Sequence, residues 1–480
     1  MSTLLFERSL PRFAAARIVS NFGSGRGAGI GPLRLVEHDA PSLPGAGWAH
    51  VHPLLSGICG SDLATLDGRS SRYFEDIVSF PFVPGHEVVG LLAEEAVGAT
   101  GELLAAGTRV VLQPVLGCAA RGIVPPCAAC AAGHVGNCGH LAFGHIRPGL
   151  QTGFCADTGG GWSTTGLVAH SSQLYAVPEG LSDADAVTTE PVACAVHAVL
   201  GAGITEGDVV AVLGAGTLGL TVTAAFSHLV TTGRCPAPRS LLVGAKYTHQ
   251  QSLALSFGAA EALPPEQLAR AVRRHSHSLS YGGVAGETST LSTGADVVFD
   301  CVGSAESIAQ SLSMVRPRGT VALVGMPGKM TIDLAPLWHR EVRLAGAYAY
   351  GTESVPTAKA GSEEADSEEA DSKEADSNEA ASKSGAARTR AKTKISATAK
   401  DAPAGRGLPS DTGLPPDIGR AGRVSTFALA LEVVGAQTTG RLVSATYPLT
   451  RFEEAVAHAG AAGRRGSVKI AFDITKGHTR

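Results

Sequence analysis

The chain has 480 residues, a formal net charge of −4 and a pI of about 6.5. That length supports about two or three domains, each burying its own core, and the mild acidity gives no global basic field for nucleic acid. Nine cysteines, an odd number in a long chain, exclude a small disulfide-stapled secreted scaffold.

The opening stretch MSTLLFERSLPRFAAARIVS breaks its apolar residues with Glu7, Arg8 and Arg12. It lacks an apolar run of signal-peptide length, so a cytoplasmic protein is expected. Residues 1–189 are rich in Gly, Pro and short Val/Leu runs such as EVVGLLAEE and GTRVVLQPVLG. Short strands joined by turn residues predict a β-rich domain here. Two loops of this region carry metal-ligand chemistry. GICGSDL contains Cys59, Ser61 and Asp62, and VPGHEVVG contains His86 and Glu87. A thiolate, an imidazole and nearby carboxylates from separate loops can hold zinc and leave one position open. Each fragment alone is weak, because a buried cysteine or a satisfied core histidine is commoner than a ligand.

GCAARGIVPPCAACAAGHVGNC follows, with Cys118, Cys127, Cys130 and Cys138. Cys127 and Cys130 stand three residues apart, and four thiolates wrapped by Gly and Pro suit a closed tetrahedral zinc site, which is structural. The plainer alternative is a set of small core cysteines.

From residue 190 to 354 the texture changes. Apolar strands such as DVVAVLG, SLLVGA, ADVVFDCVG and GTVALVG alternate with Ala-rich helical stretches, the βαβ signature of a doubly wound parallel sheet. The uncharged run beginning at Val209 has the length of a membrane span, but its glycines argue otherwise, and no membrane partner is expected. Gly214, Gly216 and Gly219 form GxGxxG directly after a strand and at the start of a helix. In that setting the glycines permit a tight turn, close backbone approach to a pyrophosphate and close helix packing. The next strand ends in Gly244 and Ala245 rather than an acid, followed by Lys246. Without a carboxylate for the ribose 2′-hydroxyl, and with a cation near a 2′-phosphate, NADP is favoured over NAD. Lys246 read alone is also an ordinary surface lysine.

Residues 355–423 are low in complexity, with the degenerate repeat SEEADSEEADSKEADSNEAAS and a basic tract after it. Too few large apolar residues are present to offset the entropy of ordering, so a disordered insertion is expected. Residues 424–480 regain folded texture and are expected to return to the β-rich domain, with RFEEAVAHAG as a surface helix.

In this order, GICGSD, GHEVVG, the cysteine lobe, EPVACAVHA, GAGTLG, DVVFDCVGS, GTVALVGMPG and GSVKIAFD resemble the zinc-dependent medium-chain dehydrogenase/reductases. The resemblance covers nearly the whole chain outside 355–423. It implies an α/β protein with a β-rich GroES-like catalytic domain, a Rossmann domain and a site in the cleft between them. Cys59 and His86 then match catalytic-zinc ligands, and Glu190 of TTEPVACAVHA matches the carboxylate of polyol-like branches. Glu87 binds directly or stands just outside, Asp62 orients the imidazole, and Cys194 is assigned to the core. Cys118, Cys127, Cys130 and Cys138 match the structural-zinc lobe, with an unusually long gap after Cys118. Zinc would act as a Lewis acid on the oxygen of a small-molecule alcohol or carbonyl substrate, and hydride would pass to nicotinamide. Ser61 matches the hydroxyl that hands the proton outward, but the next relay position, a histidine in many relatives, is Ala64. Val302, Gly303 and Val324–Met326 are placed near the nicotinamide. A homodimer or homotetramer is implied. The competing readings are a zinc-independent quinone or enoyl reductase on the same fold, and a non-catalytic NADP-binding scaffold.

Overall fold

The computed structural model of the protein describes residues 2–282, 289–355 and 422–477. The first part centres on a seven-stranded sheet. Its long strand Trp48–Gly57 pairs antiparallel with Val88–Leu92, Leu167–His170 and Lys469–Asp473. Arg109–Leu112 and Leu174–Ala176 extend one side, and Val443–Tyr447 lies parallel to Lys469–Asp473 on the other. Strands from the C-terminal segment therefore complete a sheet that begins at Trp48.

The second sheet has six parallel strands. Their order is Glu261–Leu263, Ser240–Gly244, Val209–Leu213, Ala295–Asp300, Val315–Leu323 and Arg343–Gly346. Taken in chain order this is a 3-2-1-4-5-6 arrangement, the doubly wound dinucleotide-binding topology. Every residue of Val209–Leu213 and Ser240–Gly244 is buried, as strands covered on both faces require. Side chains alternate between two cores. Val210 and Val212 meet the helices Thr189–Gly201, Thr217–Thr231 and Thr426–Gln437. Val209, Ala211 and Leu213 meet Leu268 and Val272 of Pro265–His275 and Ile308 of Ala305–Met314. The apolar run that imitates a membrane span is a strand, a glycine turn and a helix. No helix among the described residues is long and apolar enough to cross a membrane.

The expected disordered insertion lies outside the described residues except at its edges, and there the reading needs correction. Thr352–Ser354 pairs antiparallel with Arg423–Ser425, and the Val355 amide donates to the Gly422 carbonyl at 2.7 Å. Arg423 is held because its guanidinium donates to the carbonyls of Ala132 and Thr352. A basic residue beside a low-complexity tract gives no local sign of such distant acceptors.

Candidate active site and metal centres

Cys59 caps the helix Gly60–Leu66, which starts as strand Trp48–Gly57 ends. Asp62 in the first turn folds back on that cap. Its Oδ2 accepts from the Cys59 amide at 2.9 Å, and its Oδ1 lies 3.5 Å from His86 Nδ1. Asp62 and His86 are both buried. Burial acts to lower the His86 pKa, but the Asp62 carboxylate and the Cys59 thiol prevail and hold it well above its ordinary value. With Nδ1 turned to Asp62, Nε2 is the nitrogen left for a cation. Glu87 follows directly and leads into strand Val88–Leu92.

Cys59, His86 and Glu87 each present a ligand atom, and these atoms lie within 4.8 Å of one another. Glu190 is not in that set. It sits buried in the first turn of Thr189–Gly201, where the Cys194 thiol donates to its Oε1 at 3.6 Å. Burial raises the Glu190 pKa and Glu87 adds to this, while His86 and Lys469 oppose it, so the carboxylate borders the set. Cys194, assigned to the core, is half-buried, packs on the core edge and also lines the cleft.

One member of this centre gave no sign in the sequence. Lys469, from the penultimate segment of the chain, is almost fully buried and forms an ion pair with Glu87, and it also donates to the Ile58 carbonyl at 3.3 Å. Burying the two groups side by side avoids stranding either charge alone. The donor set fits zinc. It combines one thiol, one imidazole and one carboxylate from different elements, and the imidazole is braced by a second carboxylate. Asp62 Oδ1 and His86 Nδ1 face each other and Glu87 faces Lys469, so the buried charges are matched in pairs while Cys59, His86 and Glu87 still converge on one point.

Cys118, Cys127, Cys130 and Cys138 also gather, with ligand atoms within 4.8 Å of one another. The long gap after Cys118 therefore does not keep it out of the cluster. Cys118 Sγ and Cys138 Sγ are 3.7 Å apart, too far for a disulfide, and all nine cysteines are unpaired. The amides of Cys127, Gly139 and His140 donate to Sγ of Cys118, Cys127 and Cys138 at 3.3, 3.5 and 3.4 Å. A hydrogen bond with Cys130 pulls the Cys138 pKa down to about 5. The same hydrogen bond pushes the Cys130 thiol up, and burial raises that of Cys118, so it is the gathering of four thiols with amide donors around them that fits a closed zinc site. His140 Nδ1 lies 3.3 Å from Cys118 Sγ, a neighbour the spacing of cysteines alone could not indicate.

A cleft of about 1490 Å³ runs from Cys59, His86 and Glu87 to the ends of the parallel strands. Gly216, Lys246, Val302 and Val324–Met326 line it, as does Ser61, whereas Asp62 stands behind His86. Gly214 and Gly219 shape the turn from behind. Gly214 has φ +96°, and a Cβ on Gly219 would lie 1.8 Å from the Gly214 carbonyl oxygen, so neither place admits a side chain. Gly303 also lies behind the wall. Its amide and that of Val302 donate to Asp300 Oδ1 at 3.0 and 2.9 Å, which fixes the turn carrying Val302. Lys246 is exposed, with Nζ 5.8 Å from the Tyr247 ring centre. The helix Phe452–Ala459 buries Ala455 and Val456, but the turn after it lines the cleft through Gly463 and Arg464. Arg464 is exposed there. The charged pair RR in a Gly/Ala turn reads locally as solvated surface.

Residues 45–179 match the alcohol dehydrogenase GroES-like domain, and residues 243–361 match the zinc-binding dehydrogenase family. The chain is 31% identical over 324 residues to L-idonate 5-dehydrogenase of Vitis vinifera, covering 67% of this chain and 78% of that one. It is 29% identical over 325 residues to sorbitol dehydrogenase of Arabidopsis thaliana, covering 67% and 79%. Among solved structures, a short chain alcohol dehydrogenase of Escherichia coli CFT073 complexed with NADH has a TM-score of 0.60 at 18% identity, covering 99% of each chain. The chain belongs to the zinc-dependent medium-chain dehydrogenase/reductase superfamily and is an alcohol dehydrogenase-like oxidoreductase.

Proposed function

We propose that the protein is a zinc- and NADP-dependent dehydrogenase that interconverts an alcohol and its carbonyl compound. The observation that carries this reading is that Cys59, His86 and Glu87 open onto the same cleft as the glycine turn. Cys59, His86 and Glu87 hold the catalytic ion, and Glu190 borders it. Bound there, zinc polarises the substrate oxygen as a Lewis acid and lowers its pKa. Asp62 fixes the imidazole, and Lys469 holds the Glu87 carboxylate in place. Ser61 on the cleft wall accepts the substrate hydroxyl proton. With Ala64 at the next position, the route outward uses water and the Thr65 and Ser70 hydroxyls, which are 3.0 Å apart. Val302 and Val324–Met326, which line the cleft, would hold the nicotinamide ring, and the cofactor would supply the acceptor for the hydride of the carbinol carbon. Cys118, Cys127, Cys130 and Cys138 hold a second, structural zinc.

The 2′-phosphate of NADP is met by Lys246 from the end of strand Ser240–Gly244 and by Arg464 from the opposite turn. Nine unpaired cysteines suit a reducing, cytoplasmic setting. Among the described residues the strand Arg343–Gly346 stands at one edge of the parallel sheet, which suits assembly as a homodimer or homotetramer.

The test is turnover of alcohols with NADP and NAD by the zinc-loaded full chain and by Cys59→Ser. The proposal expects turnover that Cys59→Ser abolishes. Turnover of quinones or enoyl compounds that survives Cys59→Ser would favour the zinc-independent reductase. Cofactor binding with no turnover would favour the scaffold.

A further inference from the structure

On the side built by residues 58–82 and 137–154, the wall of the cleft next to the metal-ligand set is largely hydrocarbon. The His86 ring centre lies 5.9 Å from Phe154, Phe154 lies 5.2 Å from Phe82, and Phe82 lies 5.4 Å from Phe80. An aromatic row thus begins at a proposed zinc ligand, with Phe154 and Phe82 rooted in the core and Phe80 half-buried beyond them. Phe74, Ile77 and Leu141, all half-buried, continue the same wall.

Several polar groups of this arm are engaged with one another. Thr65 Oγ1 donates to the Ser61 carbonyl at 2.9 Å and pairs with Ser70 Oγ. At the rim, Arg8 and Arg72 share Glu75 at 3.5 and 3.3 Å. Glu87 is committed to Lys469. Ala64 offers only a methyl group, and the side chains of Ser61, Tyr73, Asn137 and Gln151 are the ones left to meet polar atoms of a substrate.

From this wall we infer that the substrate is an alcohol, or the matching ketone, whose carbinol carbon bears a bulky aryl or branched alkyl group. The inference rests on the dehydrogenase reading above and departs from the polyhydroxy substrates named for the relatives. An open-chain polyol would place several hydroxyls against carbon, and each one buried without a partner weakens binding on the order of tenfold. An apolar substituent gains on the order of tenfold for each methylene-sized group seated. The reaction balances as a two-electron oxidation. The carbinol C–H bond breaks with hydride passing to nicotinamide C4, and the O–H proton leaves to water by way of Ser61.

The experiment measures kcat/KM of the zinc-loaded full chain for 1-phenylethanol, 2-octanol, sorbitol and L-idonate. Phe74→Ala and Leu141→Ala are assayed in parallel, and benzamide is titrated calorimetrically into the enzyme–cofactor complex. The expected result is 1-phenylethanol at least about 100-fold above sorbitol and L-idonate, two unpaired hydroxyls' worth. KM for 1-phenylethanol should rise on the order of tenfold in each variant, with the KM for NADP unchanged. Benzamide should bind with a negative heat-capacity change that shrinks in Phe74→Ala. Sorbitol or L-idonate matching 1-phenylethanol overturns the inference and leaves the dehydrogenase reading standing. No turnover of any alcohol or ketone by protein that binds NADP removes both.

Discussion

The four-thiol lobe takes all its donors from residues 118–138, whereas the three-donor set takes Cys59 from a helix cap and His86 and Glu87 from the entry to another strand. Lys469 then reaches that second centre across 382 positions of sequence. The lobe also supplies its own hydrogen bonds, from amides within the same stretch. The cleft set relies on the register of a seven-stranded sheet to bring Lys469 beside Glu87. One centre is therefore a local knot, and the other is a product of the whole fold. Damage to the first should stay local and act on stability, while damage to the second should act on chemistry or on the fold itself.

The largest effect sought is on chemistry. Cys59→Ser should lower kcat/KM by at least about 10³-fold, since the ion's contribution is several kcal/mol, with near-ultraviolet circular dichroism unchanged. Next comes Lys469→Met. It strands the buried Glu87 carboxylate and should cost about 3–5 kcal/mol of stability, read by urea unfolding of chelator-treated protein. Glu87→Gln in the same chain should recover most of that loss, and no recovery would mean that the ion pair is not the cause. Asp62→Asn keeps the shape but weakens the hold on the His86 ring, so zinc affinity and turnover should fall about 10–100-fold. Lys246→Ala and Arg464→Ala should each raise KM for NADP on the order of tenfold, by loss of a charge-assisted hydrogen bond, and leave KM for NAD unchanged. The smallest effect is expected from replacing residues 357–421 with a short Gly-Ser turn. The flanking strands already meet at Val355 and Gly422, so the shortened loop closes at little entropic cost, and turnover and zinc content should persist.

What could be read from the sequence follows the same local and long-range division. GxGxxG was legible because strand, turn and helix are consecutive, and a parallel sheet was legible because each βαβ unit repeats its own hydrophobic alternation. The gathering of four cysteines followed from short spacing and turn residues. Glu190 entered only through the resemblance to polyol-like branches, and its place beside the donor set rather than in it was not legible, because helix placement depends on core packing. Lys469 was hidden in GSVKIAFD, where alternation predicts a strand but cannot say which residue faces it in the sheet. Arg464 and Arg423 look like solvated charges in any window of sequence. Their partners and neighbours come from distant turns, which only the assembled fold brings near.

The most direct test of the account is metal content per chain, measured on purified wild type, Cys59→Ser and Cys130→Ser. The account predicts two zinc ions in wild type and one in each variant. Cys59→Ser should remain folded but inactive, and Cys130→Ser should melt earlier than either. No zinc in carefully prepared wild type, or a Cys59→Ser variant that keeps both ions, would contradict it.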